Sequence, residues 1–280
     1  MASRTTRTTL AVLAVAVLAL GGALVLRALW NTAKSSLAVD VCTVGSYDLD
    51  PQQAVVAAEM VGAVTKYRAV HLPERASVLV LAAALQESKL TNLPQGAGDR
   101  DSVGVLQQRP SQGWGGGSAA RLTDVGEATK EFLDALVKLP NWRHMPLAEA
   151  VQAVQISADG TAYAQHEPEA KALADALQGV KPAAISCSFA APTVVASAAK
   201  VAQQASSQLG INTPTAVNAQ TVRVPGARWQ TTAWFVANAD RLGIDRVAYA
   251  NRIWTRVHGW QDGAAATSAV TASMYVLKKK

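Results

Sequence analysis

Metal-binding and redox side chains are scarce in this chain of 280 residues: there are two cysteines, Cys42 and Cys187, and four histidines, His71, His144, His166 and His258. None of the histidines has ligand spacing to another or to a cysteine. A zinc site needs three or four such groups brought together, so no metal and no cofactor is expected. Charged residues are also few, at 16%, and aromatic ones fewer, at 5%. The formal charge of +6 overstates how basic the folded part is. Arg4, Arg7, Arg27 and Lys34 flank an apolar run and Lys278, Lys279 and Lys280 form a terminal tail; without these seven, 19 basic side chains remain against 20 acidic ones. A near-neutral fold lacks the basic stripe that displaces counterions from nucleic acid, and no nucleic-acid partner is expected. The sequence has no G-x-S-x-G elbow, no P-loop and no dinucleotide fingerprint. Its glycine-rich GWGGGS stretch, residues 113–118, lacks the lysine of a phosphate loop, and there is no internal repeat.

Long apolar runs are absent except for one. Residues 10–26, LAVLAVAVLALGGALVL, carry no charged or strongly polar group; as a helix at ~1.5 Å per residue they span ~26 Å, close to a bilayer core. Arg4 and Arg7 precede the run and no acid occurs before Asp40, as expected for a cytoplasmic N-terminus. The expectation is a cytoplasmic tail over 1–9, a single transmembrane helix over 10–30 and a stalk over 31–47. A cleaved secretory signal is the rival reading, and both place the remainder outside the cytoplasm, in or at the cell membrane. In that oxidising setting Cys42 and Cys187 are expected to pair. The bridge would tie together the ends of whatever folds between them.

Helical spacing begins beyond the stalk. Residues 52–70 place Val55, Val56, Met60, Val61 and Val64 at mixed three- and four-residue intervals, and 74–88 is apolar all round from Val78 to Leu85, which marks a core helix. Two loops rich in Gly, Pro, Asn and Asp follow, TNLPQGAGDRDS and RPSQGWGGGS. Further helices are expected over 125–138, 146–157 and 163–177. The expected fold is therefore a mainly α domain over 48–188, followed over 189–280 by a small α/β module. That module has helices at 193–209 and 229–242 and β-like runs at 246–254 and 268–277.

Glu87 ends the most apolar helix and shares a face with Val80, Ala83 and Ala84. Partial burial there would raise its pKa, and a carboxyl kept protonated near neutral pH can protonate the leaving oxygen of a glycosidic bond. Downstream stand Asp99 and Asp101, then Gly104-Val105-Leu106-Gln107-Gln108, whose two amides suit sugar hydroxyls and N-acetyl groups. By themselves Asp99 and Asp101 read as turn residues that cap backbone amides. Trp114 is a candidate sugar platform or a packing anchor.

The run Ala84-Leu85-Gln86-Glu87-Ser88, followed by Gly104-Val105-Leu106-Gln107, resembles the signature of the soluble lytic transglycosylases, which have a lysozyme-like fold. The longer string LQESKL…GDRDSVGVLQQRPSQGWG resembles a group of actinobacterial envelope proteins with a lysozyme-like domain. The resemblance covers 48–180. It implies action on peptidoglycan glycan strands, with Glu87 as acid and then base, Ser88 as its orienting neighbour and Gln107 as a glycan contact. The muramic acid's own hydroxyl would attack, leaving an anhydro end. Tyr163 falls where those enzymes carry a tyrosine after an Asn-Ala-Gly turn; here Gln155 and Ser157 stand in place of that turn. Goose-type lysozymes draw a second carboxylate from the matching loop, and that resemblance implies Asp99 or Asp101 as a water-activating group, which would make the enzyme an inverting hydrolase. The stretch Trp229…Ala233-Trp234-Phe235-Val236-Ala237-Asn238…Ile253-Trp254…Gly259-Trp260 is similar to a module found on actinobacterial cell-wall hydrolases. Its tryptophans read as core, with an envelope protein partner as the alternative use. A wall-binding scaffold that kept such a fold without its chemistry is the competing functional class.

Overall fold

The computed structural model describes residues 40–67, 72–157 and 159–277. The apolar run 10–26, residues 31–39 of the expected stalk, His71 and the terminal lysines lie outside these. Among the described residues no helix is long and apolar enough to cross a membrane.

The expectation of a mainly α domain is corrected: over the described residues the chain is mixed α/β, with two antiparallel sheets. The first sheet has three strands, β1 (Val41–Val44), β2 (Tyr47–Leu49) and β3 (Ile185–Ser188), in the order β2-β1-β3. Residues 40–47, expected as stalk, thus belong to the folded body. Strands β1 and β3 are too short to show a convincing period-2 pattern. Their partners lie across the whole helical segment, with Cys42 opposite Cys187 in the ladder. The two cysteines form a disulfide. Closing a loop of 145 residues contributes ~5 kcal/mol in the chain-entropy account.

Between the strands lie α1 (Pro51–Thr65), α2 (Glu74–Ser88), the short α3 (Ala119–Leu122), α4 (Val125–Leu136), α5 (Leu147–Gln155) and α6 (Glu167–Leu177). Pro51 opens α1 at a position where a missing N–H costs nothing, and Gln53 Oε1 accepts from the Asp50 amide at 2.7 Å. Helix α2 is buried without interruption from Ala76 to Leu85, which explains its lack of a polar face. Asp124 caps α4 by accepting from the Glu127 amide at 2.9 Å. Expected helix 163–177 divides in two: residues Gly160–His166 wind as a 3-10 helix and α6 starts at Glu167.

The second half adds α7 (Ala198–Leu209), β4 (Thr215–Asn218), β5 (Thr221–Pro225), α8 (Trp229–Ala237), α9 (Ala239–Leu242) and the long hairpin β6 (Ile244–Thr255) and β7 (Gly259–Met274). Its sheet runs β4-β5-β7-β6. Strand β7 buries Val270, Ala272 and Met274 on one face, with the period of two that the sequence carries. The two halves share one hydrophobic core. Trp254 Nε1 donates to the Cys187 carbonyl at 3.0 Å, Trp260 Nε1 to that of Ile185 at 2.7 Å, and Trp234 Nε1 to Gln208 Oε1 at 2.8 Å. Trp234 and Trp254 are fully buried.

Candidate active site

Glu87 sits in the last turn of α2. The helix ends at Lys89 in the left-handed conformation, and the Ser88 hydroxyl donates to the Val105 carbonyl at 2.7 Å. Ser88 therefore ties the helix end to the loop that carries Gln107 and Gln108. Its hydroxyl is committed to that task and is absent from the cleft lining. Gly104 makes the crossing possible. It has φ +78°, and a Cβ there would lie 2.1 Å from the Leu122 carbonyl oxygen, so no other residue fits without moving backbone. Short bridges fasten the loop further, with the Gly104 amide on the Leu93 carbonyl (2.8 Å) and the Val103 amide on that of Gln108 (3.0 Å).

The result is a cleft of about 410 Å³ with Glu87 in its wall. Asp99, Gln107, Gln108, Trp114 and Gln155, all singled out in the sequence, line it, together with Arg100, Arg109, Gln112, Ile156 and Ser157. Tyr163 is fully buried behind this wall and donates from Oη to Glu87 Oε1 at 2.5 Å. Burial pushes the Glu87 pKa above the ordinary carboxyl value, while hydrogen bonds from Tyr163 and Gln155 pull it back; burial prevails. Tyr163 in turn is held well above the usual phenol range, first by burial and then by its bond to Glu87, so it remains a neutral donor.

The amides differ in use. Gln107, at φ 47°, donates from Nε2 to the Gly104 carbonyl at 2.8 Å. Gln155 Nε2 donates to the Leu106 carbonyl at 2.8 Å, and its Oε1 is buried without a hydrogen-bond partner. Gln108 is 3% exposed, and neither its Nε2 nor its Oε1 has a partner in the protein. A buried, unpaired amide is costly, and Gln108 carries that cost beside the cleft it helps to line.

The two aspartates separate. Asp101 is held by Arg109 Nε at 2.7 Å and by the Ser111 amide at 2.8 Å, and it is not among the cleft-lining residues. The Ser111 bonds and the Arg109 guanidinium hold its carboxyl far below the usual carboxylate range, which makes it a poor proton acceptor. It acts as a brace for the loop 101–111. Asp99 does line the cleft, but its side chain is 90% exposed and its nearest ion-pair partner is Arg100 at 3.8 Å. Neither is positioned as a fixed partner carboxylate.

The chain matches no protein-family model and no curated protein. What the site can do is set by its own chemistry. It holds one shielded acid on a neutral donor, in a mostly polar cleft that Trp114, packed against the core, helps to line. Among the described residues no group of three or more His, Cys, Asp or Glu side chains could hold a metal ion. Sequence reasoning missed Ile156, because it continues the apolar series of Val151 and Val154 and reads as one more core position. It missed Arg109 and Gln112 because nothing local marks a loop residue as facing a cleft.

Proposed function

We propose that the chain is a peptidoglycan-directed glycosidase of the cell envelope, with Glu87 as its general acid and base. The observation that carries this reading is the Glu87 carboxyl, held at raised pKa by burial and hydrogen-bonded by Tyr163 in the wall of a polar cleft. A carboxyl so placed protonates the glycosidic oxygen as the bond to the anomeric carbon breaks. The carboxylate left behind then takes the proton from the muramic acid's own hydroxyl, whose oxygen closes on the anomeric carbon and leaves an anhydro end. This single-acid route is favoured over an inverting hydrolysis because Asp101 is committed to Arg109 and Ser111 and Asp99 extends into solvent. The disulfide favours an oxidising compartment, and the apolar run 10–26 offers attachment at the membrane.

The test is digestion of purified peptidoglycan by the full chain in detergent and by its Glu87→Gln variant, with products identified by mass spectrometry. Release of anhydro-ended fragments by the unsubstituted chain is expected, with a loss of ~10²-fold or more in the variant. Reducing ends would instead favour hydrolysis. If both proteins sediment with the wall and neither releases fragments, the chain is a non-catalytic wall-binding protein.

A further inference from the structure

Ile156 is the least expected residue of the cleft. It ends α5 at φ 53°, in the left-handed region, where helices ordinarily place glycine or asparagine because a branched Cβ is crowded there. Eight described non-glycine residues have positive φ, and Ile156 is the β-branched one among them. Two others, Arg100 and Gln107, line the same cleft. Strained backbone of this kind clusters where function holds it.

Packing does not account for the side chain either. Ile156 is 82% exposed, the highest value among the exposed large hydrophobic residues of the described chain. Val151 and Val154, in the same helix, are fully buried. The isoleucine therefore carries backbone strain at the helix end and receives almost no burial in return. Its one distinctive neighbourhood is the cleft that holds Glu87 and Trp114.

The geometry points to Ile156 as a substrate-contact residue that packs on the apolar C–H face of a sugar ring in the Glu87 cleft. This assignment rests on the glycosidase reading above. A pyranose ring presents an apolar face and a hydroxyl-bearing rim, and the lining has both complements. Ile156 and Trp114 supply apolar surface from separate elements, and the amides of Gln107 and Gln112 supply polar groups. A mostly polar cleft with a few apolar platforms selects such a ligand over a fully apolar one. The strain at Ile156 is a stability cost kept in exchange for binding, as functional surfaces commonly show.

The test uses the full chain in detergent in a Glu87→Gln background, so that soluble, peptide-free glycan strands bind without being cut. Tryptophan fluorescence gives affinity and thermal melting gives stability. Ile156→Gly relieves the backbone and removes the side chain. It is expected to melt about 2–4 °C higher and to bind strands roughly tenfold more weakly. Ile156→Val keeps both branching and strain, and is expected to recover most of the affinity with none of the thermal gain. A glycine variant that binds as tightly as its parent overturns the assignment alone. A glycine variant that melts no higher overturns it as well, since the strain would be absent. If the Ile156-containing parent binds no strands at all, the glycan reading falls and the assignment with it.

Discussion

Glu87 owes its raised pKa to burial, opposed only by the neutral donors Tyr163 and Gln155. This has consequences of definite sign. A carboxyl whose folded pKa lies above its unfolded value stabilises the fold relative to neutral pH when protonated. That contribution is complete below the unfolded pKa and is lost as pH rises through the folded pKa. Glu87→Gln is therefore expected to raise the melting temperature at pH 7–8 and to change it little at pH 3. Equal shifts at both pH values would mean that Glu87 is not desolvated. In the reaction the same group must start protonated, so activity falls on the alkaline side as Glu87 ionises. Tyr163→Phe removes a bond that favours the carboxylate, so the alkaline limb should move to higher pH while the maximal rate drops. A limb that stays in place or moves down would exclude Tyr163 as the group that sets the acid.

At the level of elements, the cleft is the meeting of a rigid helix end with a loop fastened at several points. Helix α2 and its burial are legible from the unbroken apolar run 78–85, and the loop from its Gly, Pro and Asp content. How the loop folds back is not, because it depends on the Ser88 bond to Val105 and on the approach of Gly104 to Leu122. Asp101 shows the difference. Its place in the loop that follows the helix-ending glutamate fits a second carboxylate, but the Arg109 guanidinium and the Ser111 amide take both of its oxygens. Asp101→Asn keeps the shape and weakens the brace, so a loss of only a few-fold in turnover is expected. A general base would lose ~10²–10⁴-fold, and a drop of that size in glycan digestion would restore Asp101 to the chemistry.

At the level of the whole molecule, the helical segment and the C-terminal half behave as one folded unit because they share a core. Arg256 clamps the join. It is 2% exposed, and it donates to the carbonyls of Ala190, Ala239 and Ile244 and to Asp240 Oδ1, at 2.7–3.2 Å. Its guanidinium also lies over the Phe189 ring, 5.1 Å from the centroid. Residues 189 and 190 follow directly on β3 and its disulfide, so this one side chain fixes the chain's exit from the first sheet against the second. Arg256→Met would fill much of the volume but leave those carbonyls buried and unpaired. A loss of ~3–5 kcal/mol is expected, read by denaturant unfolding as a lower midpoint in a single transition. An unchanged midpoint would refute the clamp, and two separate transitions would refute the shared core.

What the amino-acid sequence determined by itself is whatever depends on neighbours a few residues away. It marks the apolar spacing of α1, the apolar run of α2, the helical stretches of α4 and α5, the loop between α2 and α4, the alternation of β7 and the position of Glu87 at a helix end. Each is a local periodicity or a local turn preference, written in consecutive residues. Only the tertiary structure decided what depends on distant ones. Strands β1 and β3 pair across 145 residues, and Tyr163 reaches Glu87 from 76 residues away. Ile156 comes to the cleft edge through a strained helix end, and Asp101 is drawn out of the cleft by Arg109 and Ser111. Such contacts form only after loop-closure entropy has been overcome by a shared core, and no local pattern records which distant side chains that core will bring together.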